Sequence, residues 1–510
     1  MDGALLADQP LGQKLISKGF WLYFFTFIIA PAGYIIKVVI SNKMSVEDVG
    51  LFYSIMGLIY IISLYNDLGL TEALQYFLPK YRIRKEYNKV KTITILTWII
   101  QLISGIIIAG ALYIGSDWLA INYFHSPQAA HIIRLLCLYF FGINFIQVFM
   151  SFFIAFQDTF NQNLVEFVRI YTTLIFVGVF YFTTTITLDN FTWARLIGIG
   201  VSIITGIIIF SNKYLHIFKL GKYNLEIGLL KKQLKYAGRV FLGANVGLLF
   251  WQVNQQMVMY MLGSEQAGYI TNFWSLFAMF NYVIAPLSMF LFPVLTEMIE
   301  KKEHEQVTIF QNILYKYTLL FSFICGGFFM ILGPEIALVF FGKKFIYSGV
   351  LFSYAAPFVF LSTLLTVSFA IIGAMGMVKK RVKILSIGLL VNISISYILI
   401  RYTSIGIVGS ILGLLSGWGI LTIMVLKVVN TQYKIKIDYM FLIKNVILIG
   451  IMIWVVRYTK DYFFIMENYM RYRNIFILCI YLMIFSGIIG LVNYKQINLF
   501  LTEIKKIRNK

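Results

Sequence analysis

Nine polar side chains stand within otherwise apolar stretches of this chain: Lys37, Asp67, Arg134, Asn144, Gln147, Arg239, Asn245, Gln252 and Gln256. Their chemistry is that of binding rather than bond-making. Cations match phosphate or carboxylate oxygens, and amides offer donor and acceptor together, which suits a hydroxyl-rich ligand. No constellation for catalysis accompanies them. There is no GxxxxGK[ST] loop and no HExxH, and His304-Glu305 lacks a second histidine. The four histidines do not cluster, and Cys137, Cys325 and Cys479 lie far apart in apolar runs. No metal, disulfide or nucleotide site is expected from them.

Each candidate has two readings. Lys37 shares a helical face with Thr26 and Gly33, and is either a cavity cation or a side chain snorkelling to an interface. Arg134 is either a ligand contact or an interfacial anchor. Asp67 closes a face with Tyr60 and Ser63, and either pairs with a cation or carries a proton. Glu166 and Arg169, three residues apart, are expected to neutralise each other. In "RVFLGANVGLLFWQVNQQMVMYML" (239–262), Asn245, Gln252 and Gln256 fall within about 40° of one another at 100° per residue. That polar stripe lines a cavity or bonds to a neighbouring helix. Asn144 and Gln147 are of the same kind. Gly409, Gly413 and Gly417 predict close helix packing.

The elements that must hold these residues are membrane helices. Of 510 residues, 60% are hydrophobic and 13% charged, against about 25% charged in a soluble domain. Stretches such as Ile93–Gly115 run uncharged for longer than the roughly 20 residues that span a bilayer core. Continuous apolar runs select helices over a barrel. Fourteen spans are expected, centred near Ile29, Ile59, Ser104, Gly142, Phe176, Ile203, Gly247, Met279, Phe321, Val359, Leu390, Leu415, Ile449 and Leu482. The net charge of +21 resides in the loops after even-numbered spans, with clusters such as Lys80–Lys91 and Lys379–Lys383. This is the positive-inside pattern and not a nucleic-acid surface; it places those loops and both termini in the cytoplasm. The connection between the last two spans, with Arg457, Lys460, Arg471 and Arg473, runs against it.

"MSVEDVGLF" (44–52) returns as "LGSEQAGYI" (262–270). Glu47 and Gly50 match Glu265 and Gly268, 218 residues on. At an offset of 217, Lys85, Glu86 and Val90 match Lys302, Glu303 and Val307, and Ala120 and Phe124 match Ala337 and Phe341. Six spans fill the period, so the copies run parallel. The expected organisation is a six-helix lobe over 11–212, a basic cytoplasmic linker over 213–230, a second lobe over 231–428, and a helix pair with a basic cytoplasmic tail over 429–510. Arg134 has no counterpart, because Leu351 occupies the equivalent place.

Several segments carry a family resemblance: "KLISKGFWLYF" (14–24), "MSVEDVGLF", "LYNDLGLTEAL" (64–74) and "HIIRLLCLYFFG" (131–142), together with the repeated six-span unit and the terminal pair. The chain resembles the multidrug/oligosaccharidyl-lipid/polysaccharide exporter superfamily, in particular its polysaccharide-flippase branch. The resemblance implies an all-α polytopic protein of a bacterial inner membrane. Its two lobes would open a cavity alternately to each side. The cargo would be an oligosaccharide on polyprenyl diphosphate, moved to the outer leaflet for surface polysaccharide such as O-antigen or capsule. Other implied partners are membrane lipids, a polysaccharide polymerase and chain-length machinery, with a proton or sodium gradient as coupling. In that frame Arg134, Lys37 and Arg239 draw the diphosphate, the amides contact sugars, and Asp67 tunes protonation or closes a gate. Rival readings on the same fold are a cation-coupled multidrug and toxin extrusion antiporter and a lipid II flippase. A membrane glycosyltransferase or polymerase would need a large outer loop or a carboxylate motif, and neither is visible.

Overall fold

Lipid offers the backbone no hydrogen-bond partner, so a chain this apolar must satisfy its peptide groups within itself. The computed structural model does so with helices, and no strand occurs among the described residues, which are 11–496 and 498 apart from 225, 245, 437 and 465–470. In order these are α1 (Leu11–Lys43), α2 (Val46–Asp67), α3 (Leu70–Ile83), α4 (Tyr87–Ile114), α5 (Ser116–Asn122), α6 (Ala129–Ala155), α7 (Thr159–Thr183), α8 (Leu188–Leu220) and α9 (Ile227–Ala244). There follow α10 (Val246–Leu262), α11 (Ser264–Glu300), α12 (His304–Phe341), α13 (Ile346–Tyr354), α14 (Pro357–Ala374), α15 (Val378–Tyr402), α16 (Ile407–Gln432), α17 (Tyr439–Phe463) and α18 (Arg471–Val492).

Among the described residues, twelve helices are long and apolar enough to cross a membrane. The other two expected span centres, Gly247 and Met279, fall in α10 and α11. Hydropathy did not reveal α3, α5, α9 or α13. In α3 the buried residues Leu70, Ala73, Leu74, Phe77, Leu78 and Tyr81 recur at helical spacing beneath an exposed face with Tyr76 and Lys80. A basic stretch that reads as a loop is thus an amphipathic helix.

The chain divides into two compact units, Met1–Gln252 and Val253–Lys510. Within the first, α9 packs on α3 and α4. Tyr236 stacks on Tyr76 at 4.3 Å, and Gln233 donates to Thr97 Oγ1 at 2.7 Å.

The repeat read from sequence is present in the backbone. Ser45 and Gly263, 218 residues apart, are the N-cap residues of α2 and α11. Lys85 and Lys302, 217 apart, both sit at φ 58°. The next amides reach back alike, Glu86 N to Tyr81 O at 2.9 Å and Glu303 N to Met298 O at 3.0 Å. This left-handed termination is a Schellman-type cap. It recurs between α6 and α7, where Gln157 has φ 58°, and between α14 and α15, where Gly376 has φ 68°. At the first of these Asp158 caps α7 and also takes bonds from Lys213, Tyr214 and Asn161. Burial alone would raise this carboxyl, but those three donors hold it below its ordinary value.

Small residues let helices meet in the second unit. A Cβ on Gly413 would lie 2.0 Å from Ser396 Oγ and 2.9 Å from Asn392 O, and one on Gly417 2.6 Å from Gly388 O. The glycine ladder is therefore the contact surface of α16 on α15. Lys460, one of the basic residues against the charge trend, is not a free loop charge. Its Nζ lies 2.8 Å from Glu335 Oε1, tying α17 to α12.

Overpacking a tight core typically costs about 1–3 kcal/mol. Gly413→Leu is therefore expected to lower the thermal midpoint of the purified protein by several degrees. Gly419→Ala, which meets nothing within 4 Å, is expected to leave it unchanged.

Candidate functional site

One region of the first unit gathers three cations around a single acid. Lys37, on α1, is 7% exposed. Its Nζ stands 3.3 Å from the centre of the Tyr53 ring on α2 and has no hydrogen-bond acceptor. A cation–π contact offsets part of the cost of burying the ammonium but satisfies none of its three donors. Arg195 lies two turns into α8, a helix opened by Thr187, whose hydroxyl accepts from Asn190 N at 3.2 Å. Its guanidinium stands over the Phe191 ring, with the Tyr53 phenol in its electrostatic reach, while its Nε is unpartnered.

Arg169, on α7, is the neutralised member. It holds Glu166 with two bonds, one of them from Nε at 2.9 Å, and Nη1 donates to Tyr139 Oη at 3.0 Å. The pair forms as its three-residue spacing predicts. Tyr139, on α6, is fully buried, and the Tyr60 phenol of α2 lies in its electrostatic neighbourhood.

Close packing brings the two arginines together. A Cβ on Gly198 would lie 2.8 Å from Arg169 O and 2.2 Å from Thr173 Oγ1, so only glycine lets α8 approach α7 here. Arg195 sits one turn before Gly198 and feels the charge of Arg169. Lys37 in turn feels Arg195. The result is a continuous patch on α1, α2, α6, α7 and α8, in which three cations face one carboxylate and three phenols.

The sequence candidates distribute around this patch unevenly. Lys37 belongs to it. Arg134 does not: it donates to Ser116 Oγ at 2.9 Å and Asp117 Oδ2 at 2.6 Å, in an exposed ion pair between α6 and α5. On the face of Tyr60, Ser63 and Asp67, the last two are buried and Tyr60 is half-buried. Ser63 donates to Asn144 Oδ1 at 2.9 Å, and Asp67 accepts from Gln101 of α4 at 2.5 Å. Asn144 also donates to Phe140 O, so it ties α2 to α6, while Gln147 is half-buried one turn on. Asn144, Trp98, Gln101 and Phe141 are among the residues lining a cavity of about 10 Å³, roughly room for one water. Gln252 is half-buried and Gln256 buried on α10. The Arg239 side chain and Asn245 lie outside the described residues.

Arg195, Tyr53 and Tyr139 escaped sequence reasoning. Arg195 alone carried a signal, as an arginine well inside an apolar helix. The second unit has a polar cluster of different character, also missed. Asn254 of α10 donates to Ser410 Oγ at 3.1 Å and accepts from Asn392 at 2.7 Å, and Ser396 donates to Asn392 Oδ1 at 3.2 Å. It is neutral and internally satisfied.

A helical two-unit repeat with twelve helices able to span a bilayer among the described residues defines a polytopic membrane protein. The chain belongs to the polysaccharide biosynthesis protein family, whose pattern it matches over residues 15–299. An uncharacterised membrane protein of Methanocaldococcus jannaschii is 23% identical, with 98% of each chain covered. A lipid II flippase in an inward closed conformation superposes with a TM-score of 0.72 at 15% identity, covering 94% of this chain and all of the other. An inward-facing multidrug resistance transporter of the MATE family superposes with a TM-score of 0.67 at 16% identity, covering 78% and 93%. At such identity these two establish the shared fold.

Removing an unsatisfied buried cation should stabilise the protein. Lys37→Met is expected to raise stability by about 1–3 kcal/mol, read as a higher thermal midpoint in detergent. A lower midpoint would mean that the ammonium is satisfied in the folded protein.

Proposed function

We propose that this chain is a flippase that carries a polyprenyl-diphosphate-linked oligosaccharide from the cytoplasmic to the outer leaflet of the plasma membrane, by alternating access of its two repeat units. The basic loops and both termini would face the cytoplasm. The observation that carries this reading is the charge imbalance of the patch on α1, α2, α6, α7 and α8. Lys37, Arg169 and Arg195 set against Glu166 leave two uncompensated positive charges in a low-dielectric setting. A diphosphate diester brings one negative charge per phosphate, with oxygens suited to ammonium and guanidinium donors. The three phenols and the half-buried amides add donors and acceptors for sugar hydroxyls. In surface-polysaccharide synthesis, the flipped unit would then pass to a polymerase. An exporter of cationic drugs would require the opposite balance, with carboxylates in excess.

The test is flipping in proteoliposomes of three cargos: a polyprenyl-diphosphate oligosaccharide, lipid II and an organic-cation drug. The oligosaccharide lipid is expected to move, and Arg195→Ala is expected to slow it at least about tenfold, the loss of one charge-assisted contact. Movement of the drug alone, driven by an ion gradient, would establish the antiporter reading instead. Preference for lipid II would establish the peptidoglycan-precursor reading.

A further inference from the structure

Asp67 is buried at the end of α2, and all its acceptor capacity is used. Gly69 N and Thr71 N donate at 3.2 Å each, Thr71 Oγ1 at 2.9 Å and Gln101 Nε2 at 2.5 Å. An ionised carboxylate has about four lone-pair sites and no donor, so this arrangement fits the charged form alone. The bonds hold an elbow of two consecutive left-handed residues, Leu68 at φ 48° and Gly69 at φ 80°. A leucine adopts that conformation only when its surroundings impose it. The elbow is also the seat of α9, since a Cβ on Gly69 would lie 2.5 Å from Ala237 O.

A path for a proton reaches this carboxylate. The Thr71 hydroxyl lies 2.9 Å from Asp67 Oδ2 and 3.3 Å from Glu72 Oε2, and Glu72 is half-exposed. Thr71 has one proton to give, so it serves one carboxylate at a time. Glu72, from α3, is the charged group that faces Asp67; Gln101 from α4 and Ala237 from α9 bring none. On the far side the Gln101 Oε1 atom and both amide atoms of buried Asn66 are unpartnered, so nothing there takes up the negative charge.

We propose that Asp67 is a proton-binding site that controls the α2–α3 elbow, loaded through Thr71 from Glu72. A proton on Glu72 passes to Thr71 Oγ1 as Thr71 passes its own to Asp67 Oδ2. Thr71 then donates to Glu72 and accepts from Asp67. Oδ2 becomes a donor, Gly69 N loses its acceptor, and the strained elbow and the α9 seat on it are released. This goes beyond the cargo assignment and holds whichever anion is carried.

Hydrogen exchange of the full-length protein in lipid nanodiscs, read by mass spectrometry as protection factors, tests it. Protection over 66–74 is expected to fall about tenfold as the pH is lowered from about 8 to 5, with 233–241 following. Asp67→Asn places a permanent donor at the elbow and is expected to show the low protection at every pH. Glu72→Gln removes the neighbouring negative charge, which favours ionised Asp67, so the midpoint is expected to move to lower pH. Should Asp67→Asn not fold, the Glu72→Gln midpoint decides alone. Wild-type protection independent of pH, Asp67→Asn protection equal to that of wild type at high pH, or an unmoved midpoint in Glu72→Gln would each overturn the proposal.

Discussion

A cation enclosed in a membrane helix bundle must find an acceptor or an opposite charge within the protein, because hydrocarbon supplies neither. In the first unit this requirement is met for one cation and left open for two. Arg169 is held by Glu166 and Tyr139, whereas Arg195 and Lys37 have aromatic rings and each other's repulsion. Much of the unit's local design serves that arrangement. Gly198 brings α8 onto α7, the Thr187 cap sets where α8 starts, and the Ser63–Asn144 bond joins α2 to α6. A site that gained nothing from its charge would replace these residues with apolar ones at a gain in stability. Their presence is the basis of the anion site proposed above.

The repeat makes the asymmetry informative. Both units share their caps and loop geometry to within a residue or two, down to the same φ at Lys85 and Lys302. Their polar interiors differ. The first holds, in its α1–α2–α6–α7–α8 patch, two cations without a carboxylate partner. In the second, the Asn254, Asn392, Ser396 and Ser410 cluster closes on itself, and the buried ion pair Lys460–Glu335 is balanced. Shared backbone geometry answers to the common demand of satisfying helix ends in lipid. Divergent interiors answer to different tasks. The proposed anion recognition therefore rests on the first unit, and the polar cluster of the second is neutral.

Helix contacts in such a protein gain little from the hydrophobic effect, since lipid tails are as apolar as leucine. Close approach and polar links take its place. The Gly388–Gly417 and Gly413–Ser396 contacts of α15 and α16 illustrate the first, and the Ser63–Asn144 and Asp67–Gln101 bonds of α2 the second. The α2–α3 elbow combines both. A glycine touches the α9 backbone there while a buried carboxylate holds the chain in place. A contact made by geometry alone is permanent, whereas one made by an ionisable group can be undone by a proton.

How much of this was legible in the sequence follows from the range of the forces involved. Apolar run length places the spans, because a helix must match the bilayer thickness whatever it packs against. The glycine ladder and the Glu166–Arg169 pair follow from helical periodicity alone, and the repeat from two recurring loops. Short amphipathic helices such as α3 escaped, since a basic loop and a basic helix have the same hydropathy. The site was legible in kind and not in membership. An in-span charge announces that it needs a partner, but the partner lies on another helix. Thus Arg134 found Asp117 at the surface, Lys37 found Tyr53, and Arg195 met Arg169 through a glycine contact that no local pattern announces. By itself the sequence determined the membrane class, the helices and the parallel repeat, all set by interactions within about one helix length. Only the tertiary structure decided which buried charges are neutralised and which remain open, because that depends on side chains brought together from five helices.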